Sequence, residues 1–145
     1  MNIYQRLIED HKTQREIAEK LMETSGDSPE RRALFERFKT ELDAHALAEE
    51  QTFYSDLMQH PDGTEKARHS VAEHKDADDL LQELSDLEMS SGGWIHKFEK
   101  LKHEVIHHVD EEEKEVFPLA RKLIAPSRAE ELADDFDDRK SKEAS

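Results

Sequence analysis

HEVIHHVDEEEKEVFP, His103 to Pro118, admits two readings that name different metals. From its first residue it contains HEVIH, the His-Glu-x-x-His pattern in which two imidazoles one helical turn apart hold zinc and the glutamate serves as base. From His108 it is a histidine with a carboxylate four residues on, again one turn away on a helix. Helical periodicity separates the two. The apolar stripe of this segment runs Leu101, Val105, His108, Glu112, Val116, Leu119 in steps of three and four, so His108 and Glu112 interrupt a core-facing stripe and point inward. His103 and His107 fall in line with Lys100, Asp110, Glu111 and Lys114, a solvated face. They read as surface residues, with adventitious zinc or nickel as the most they would hold. A mononuclear zinc hydrolase built on HEVIH is the remote alternative.

The inward pair has a counterpart earlier in the chain. His74 follows His11 by 63 residues, and sliding the second half back by that amount superposes DHK (Asp10 to Lys12) on EHK (Glu73 to Lys75). The same shift lays HALAEEQTFY (His45 to Tyr54) over HVDEEEKEVF (His108 to Phe117), Phe35 over Phe98 and Leu21 over Leu84. HEVIH has no such counterpart, since TELDA (Thr40 to Ala44) stands in its place. A helical hairpin is thus used twice. Each copy brings one lone His on its first helix and one His-x-x-x-Glu on its second.

Glycine and proline punctuate the chain at Gly26 with Ser28-Pro29, at Pro61 to Gly63, at Gly92-Gly93, and at Pro118 and Pro126. Helices over about 2–24, 29–59, 64–89 and 93–123 follow, with a short one near 127–140 and a solvated or frayed charged tail, FDDRKSKEAS. Ser28 before Pro29 reads as an N-cap with proline at the first helical position; Asp62 with Glu65, and Ser127 with Glu130, read as capping boxes. The expected fold is all-α: an up-down-up-down four-helix bundle of two helical hairpins over residues 1–125, with residues 126–145 as the short helix and tail.

Composition narrows the function. The net charge of −15 repels phosphate backbones and anionic lipid, so neither nucleic acid nor a membrane is expected as a partner. No apolar run has the length of a signal peptide's core or a membrane span, which makes the cytoplasm the default location. Cysteine is absent, so there are no disulfides, thiolate chemistry, iron–sulfur clusters or cysteine zinc sites. Any metal must be held by His and carboxylate.

The second helix repeats the stripe as Phe38, Leu42, His45, Glu49, Phe53, Leu57. His11 lines up with Tyr4, Leu7, Ala18 and Leu21, and His74 with Val71, Leu81 and Leu84. Four histidines and two glutamates, His11, His45, Glu49, His74, His108 and Glu112, therefore converge on one layer of the bundle. An unpaired carboxylate there costs several kcal/mol, which metal ions remove. A protein-only His–Glu hydrogen-bond network is the competing explanation, and the doubled pattern argues against it. Imidazole with carboxylate suits iron, manganese or zinc. Two Glu serving four His point to two metals bridged by the carboxylates. With two His, two bridging carboxylate oxygens and a bridging oxo or hydroxo group, each metal has five ligands and one open octahedral position. Ferritin-like di-iron proteins use Glu-x-x-His at a spacing of three, which is not the spacing here. Glu41 and Glu104, one turn before the inward histidines, are candidates to support the imidazoles from behind.

At these residues the chain resembles the bacterial haemerythrin-like proteins of the HHE cation-binding type. The signature occurs twice, as Asp10-His11 with HALAEEQTFYS (His45 to Ser55) and as Glu73-His74 with HVDEEEKEVFP (His108 to Pro118). Myohaemerythrin is itself a standing example of the up-down-up-down bundle, so the resemblance carries that topology with it. It implies a non-haem centre of two iron ions of the Fe–O–Fe type, ligated by His11, His45, Glu49, His74, His108 and Glu112, with Fe/Mn or Zn as substitutes. Two positions depart from the family. Oxygen carriers have a fifth His four residues before the third-helix histidine, where this chain has Ser70; His69 is the nearest substitute, about 140° away around the helix. Ser55 stands where the family often has proline.

Two functions compete at this stage. One is a di-iron protein that binds or reacts with dioxygen, peroxide or nitric oxide, in sensing or in protection against oxidative and nitrosative stress. For turnover, Tyr4 and Tyr54 are proton donors by residue type alone. The other is an iron store or donor, or an interaction module that uses metal to fold, without redox turnover. Neither names a protein partner.

Overall fold

The computed structural model describes residues 1–144, and five helices account for nearly all of them. Helix α1 spans Ile3–Met22. Helix α2 covers residues 29–57, with an α-helical body Pro29–Glu49, a π turn Glu50–Tyr54 and a last turn Ser55–Leu57. After a 3₁₀ turn Pro61–Gly63, α3 spans Thr64–Asp86. Helix α4 covers residues 92–123, as Gly92–Glu111, a π turn Glu112–Val116 and Phe117–Leu123. Helix α5 spans Pro126–Ala144. None of the described helices is long and apolar enough to cross a membrane.

The helix starts have local causes. Asn2 and Gln5 form a reciprocal capping box on α1, at 2.9 and 3.0 Å. Ser28 Oγ accepts from the Arg31 amide with Pro29 at the first helical position, as the sequence predicts. The boxes expected at Asp62 and Ser127 are absent: Asp62 lies in the 3₁₀ turn ahead of α3, and α5 begins one residue before Ser127, at Pro126. Gly63 is needed at that turn because a Cβ there would stand 2.7 Å from the Leu57 carbonyl oxygen and 2.6 Å from a Leu57 methyl.

The core is divided by the polar layer. One apolar cluster, including Leu7, Phe53, Tyr54, Phe117 and Phe136, fills one end of the bundle; the other, including Leu21, Phe38, Leu84, Trp94 and Phe98, fills the opposite end. Trp94 and Phe98 stack at 5.6 Å. The buried Arg31 closes that far end, donating to Thr24 Oγ1 at 2.8 Å, to the Thr24 carbonyl at 2.7 Å and to the Met89 carbonyl at 3.0 Å. It ties the α1–α2 loop to the α3–α4 loop and lies over the Trp94 ring.

Two expectations are corrected here. The second and fourth helices are not regular throughout, because a π turn follows Glu49 in the one and begins at Glu112 in the other. The cause is periodicity: each four-residue step overshoots an ideal turn by about 40°, so consecutive four-residue steps such as His45, Glu49, Phe53, Leu57 rotate off the core face unless a wider turn absorbs the drift. The π turns let Phe53 and Tyr54, and Val116 and Phe117, be buried as adjacent pairs. They also move Ala120 into the core in place of Leu119, which is only half-buried. The end of the chain, expected as a short helix and a frayed tail, is instead a helix of 19 residues docked on α1 and α2. Ala129, Leu132, Ala133 and Phe136 are its buried face. Arg6 donates to Asp137 at 2.5 Å, and Lys140 to Asp10 and Glu41 at 2.8 Å each. Ser145, the last residue of the expected tail, lies outside the described residues.

Candidate metal centre

The six residues singled out in the sequence meet in the polar layer. His11, His45, Glu49 and Glu112 are buried, and His74 and His108 are 10 % and 12 % exposed at the side chain. The imidazoles form two pairs: His11 with His45, ring centres 5.6 Å apart, and His74 with His108, 4.8 Å apart. Each glutamate reaches one member of each pair. Glu49 Oε1 lies 3.7 Å from His45 Nε2 and 3.1 Å from His74 Nε2. Glu112 lies 3.1 Å from His11 Nε2 through Oε1 and 3.6 Å from His108 Nε2 through Oε2. Donor atoms of His11, His45 and Glu49 fall within 4.8 Å of one another, and so do those of Glu49, His74 and His108, the two groups sharing Glu49.

All four imidazoles turn Nε2 inward because a carboxylate holds each Nδ1 from outside. His45 Nδ1 bonds Asp10 at 2.7 Å and His108 Nδ1 bonds Glu73 at 2.8 Å, within one repeat each. His11 Nδ1 bonds Glu113 at 2.7 Å and His74 Nδ1 bonds Glu50 at 2.8 Å, across the repeats. Carboxylate–imidazole pairing of this kind fixes the tautomer and aims the free nitrogen at a cation. Glu41 and Glu104 do not take this part; Glu41 accepts from Lys140 instead. Asp10, Glu50, Glu73 and Glu113 are the functional residues that the sequence reading left without a role. The repeat marks them, since Asp10 and Glu73, like Glu50 and Glu113, are 63 residues apart.

The donor set fits a metal on its own chemistry. Both carboxylate oxygens of Glu49, Glu112 Oε1 and His11 Nε2 are buried, and the 3.1 Å approaches among them and His74 are too poorly aligned to be hydrogen bonds. Orphaned buried acceptors are costly, and here they cluster at one point, which a cation would satisfy. In the metal-free protein protons take that place. Burial works against a charged His45, but Glu49 and Asp10 outweigh it and push its pKa up to about 10. Burial is likewise overcome at His74, raised to about 9 by Glu49 and Glu50, and at His11, raised by Glu112. Burial would raise Glu49, yet His45 and His74 hold it well below the usual carboxylate range.

The surroundings are less symmetric than the donors. Phe117 stacks on His11, and Phe136 of α5 packs edge-on to His45 at 5.5 Å, so aromatic rings cover part of that pair. Tyr54, at the repeat position of Phe117, donates its hydroxyl to Glu112 Oε2; burial and the two glutamates raise its pKa well above the ordinary value. Tyr4 lies in the apolar cluster under Arg121. A cavity of about 550 Å³ opens beside the other pair, bordered by His45, His74 and His108, by apolar side chains including Val71 and Leu81, and by Gln14. Gln14 is buried with its amide nitrogen unpartnered. His69 faces outward, 55 % exposed, 3.1 Å from Glu111, and His103 and His107 are exposed as expected.

A helical bundle with a buried layer of paired His and Glu donors is a cation-binding bundle. The chain belongs to the family described as the Hemerythrin HHE cation binding domain, whose pattern it matches over residues 2–120. It is similar to the crystal structure of a hemerythrin HHE cation binding domain-containing protein from Mycobacterium kansasii, with a TM-score of 0.89 and 28 % identity over 99 % of this chain and 88 % of that one. No curated protein sequence matches it.

Proposed function

We propose that this chain is a non-haem di-iron protein whose metal pair, held by His11, His45, Glu49, His74, His108 and Glu112, binds or reacts with dioxygen, peroxide or nitric oxide, in sensing or stress protection. The observation that carries the reading is that each glutamate spans the two imidazole pairs, which is the arrangement two carboxylate-bridged ions require. Held by these residues, such a pair would supply exchangeable electrons to a small bound ligand.

The chain's own residues do the rest. Asp10, Glu50, Glu73 and Glu113 hold the imidazoles in the metal-binding tautomer. Phe117 packs over His11 and Phe136 over one edge of His45, shielding them from water on those sides. The cavity gives a small ligand a route to the His74–His108 side, where the unpartnered Gln14 amide is available as a donor. Tyr54 Oη keeps its proton and shares it with Glu112.

Metal content and an absorption spectrum of freshly purified protein test the reading. About two irons per chain with oxo-bridge charge-transfer bands are expected, lost in His74→Ala and kept in His107→Ala. One zinc per chain, lost in His107→Ala and kept in His74→Ala, would overturn it.

A further inference from the structure

The two repeats support their second-helix histidines in the same way but balance the supporting carboxylate differently. In the first repeat Asp10 Oδ2 holds His45, and Oδ1 takes Arg6 at 2.7 Å and Lys140 at 2.8 Å. Helix α5 covers that face, and Ala48 is buried in one cluster with Ala129, Leu132 and Phe136. In the second repeat Glu73 Oε1 holds His108, and Oε2 faces His69 Nε2 at 3.6 Å. His69 stands at the repeat position of Arg6, Glu111 at that of Ala48 and His107 at that of Ala44. His69 Nε2 is 3.1 Å from Glu111 Oε1, and His107 Nε2 is 3.2 Å from Glu111 Oε2. Guanidinium and ammonium groups, which only donate hydrogen bonds, are thus replaced by imidazoles and a carboxylate, which can ligate metal.

We propose that this open face carries a further cation site, in which His69, Glu73 and Glu111, with His107 at the edge, bind a divalent first-row metal ion. One donor atom from each of the first three lies within 4.8 Å of the others. Imidazole with carboxylate selects zinc, iron(II) or manganese over calcium or magnesium. The ion balances the outer oxygen of Glu73 as Arg6 and Lys140 balance that of Asp10. The site is not isolated from the buried centre. Glu73 joins them, one oxygen toward the outer ion and the other on His108 Nδ1, so the outer ion weakens the hold of Glu73 on His108.

The inference does not depend on which metals fill the buried centre. It is tested by calorimetric titration of the metal-loaded protein with Zn²⁺, the buried metals being assayed before and after. One further equivalent of Zn²⁺ is expected per chain. His69→Ala, at an exposed position, and Glu111→Gln, at a half-buried one, weaken that step by more than about tenfold, the loss that removing even an outer partner of a ligand produces. His103→Ala, on the same wet face, leaves it unchanged. Uptake of no further Zn²⁺ by the loaded wild-type protein overturns the proposal, and so does an equivalent bound equally well by the double variant His69→Ala/Glu111→Gln.

Discussion

Loading the metal-free protein should release protons, in a number set by the geometry of the centre. Imidazole binds metal only when neutral, so every protonated ligand must lose its proton as the ion enters. At pH 7 an ordinary histidine is about one quarter protonated, given a pKa near 6.5. Here Asp10, Glu49 and Glu50 hold His45 and His74 up to about 10 and about 9, which leaves both fully protonated at pH 7, and Glu112 raises His11 as well. Filling the centre at pH 7 therefore releases about two protons or more, where ordinary histidines would give about half a proton from the same two residues. The apparent affinity rises by about a hundredfold per pH unit between 7 and 8, then less steeply as the pH passes about 9, and it levels off above about 10. Anaerobic Fe²⁺ titration in two buffers of different ionisation heat counts the protons directly. Release of less than about one proton would refute the argument, since the imidazoles would then be neutral before metal arrives. The same shifts fix the stability of the metal-free protein. The raised histidines stabilise the fold fully below about 6.5 and lose that contribution as the pH climbs toward 10, while the depressed Asp10 and Glu49 lose theirs as the pH falls below about 4. The metal-free melting temperature should thus be highest between about 4 and 7 and fall toward pH 10, as thermal unfolding followed by circular dichroism will show.

Asp10→Asn should weaken metal binding by about 10- to 100-fold, because the carboxylate that orients His45 is lost. It should also lower the stability of the metal-free bundle, since Arg6 and Lys140 lose their shared partner; chelator competition and urea unfolding read the two effects separately. Phe136→Ala should cost about 3–5 kcal/mol in urea unfolding, the usual cost of emptying a buried aromatic site. A cost below about 1 kcal/mol would mean that α5 is not docked in solution.

The inward residues were legible because they broke an apolar stripe at helical spacing, and they did so twice. Nothing in one copy alone separates His108 and Glu112 from a buried hydrogen-bonded pair; His45 and Glu49 at the same depth do. The wet face carrying His103 and His107 was legible from its charged neighbours in the same way. The supporting carboxylates were not, although the repeat marks them. Glu50 and Glu113 follow the inward glutamates directly, and on a regular helix adjacent residues lie about 100° apart, so neither reads as part of the same layer. Their role depends on partners from the other repeat, His74 and His11, and only the packed fold supplies those. The helix near 127–140 was legible, but its docking as α5 was obscured for another reason. Its stripe, Ala129, Leu132, Ala133 and Phe136, has only two large apolar side chains among charges, and its burial is set by the groove between α1 and α2.

Duplication makes the donors equivalent, and what packs on them afterwards makes them different. Helix α5 exists once, so it can cover only one repeat. It packs Phe136 against His45 and brings Lys140 to Asp10. The other side keeps an open carboxylate, Glu73, and a cavity that reaches His74 and His108. Tyr54 breaks the equivalence again by placing a hydroxyl where its repeat partner Phe117 has none. The cavity is bordered by His74, His108 and His45 but not by His11. The two imidazole pairs, identical in donor type, thus differ in access, in the charge behind their histidines and in the hydrogen bonding of the glutamates between them. Each difference traces to a residue that the 63-residue repeat does not duplicate.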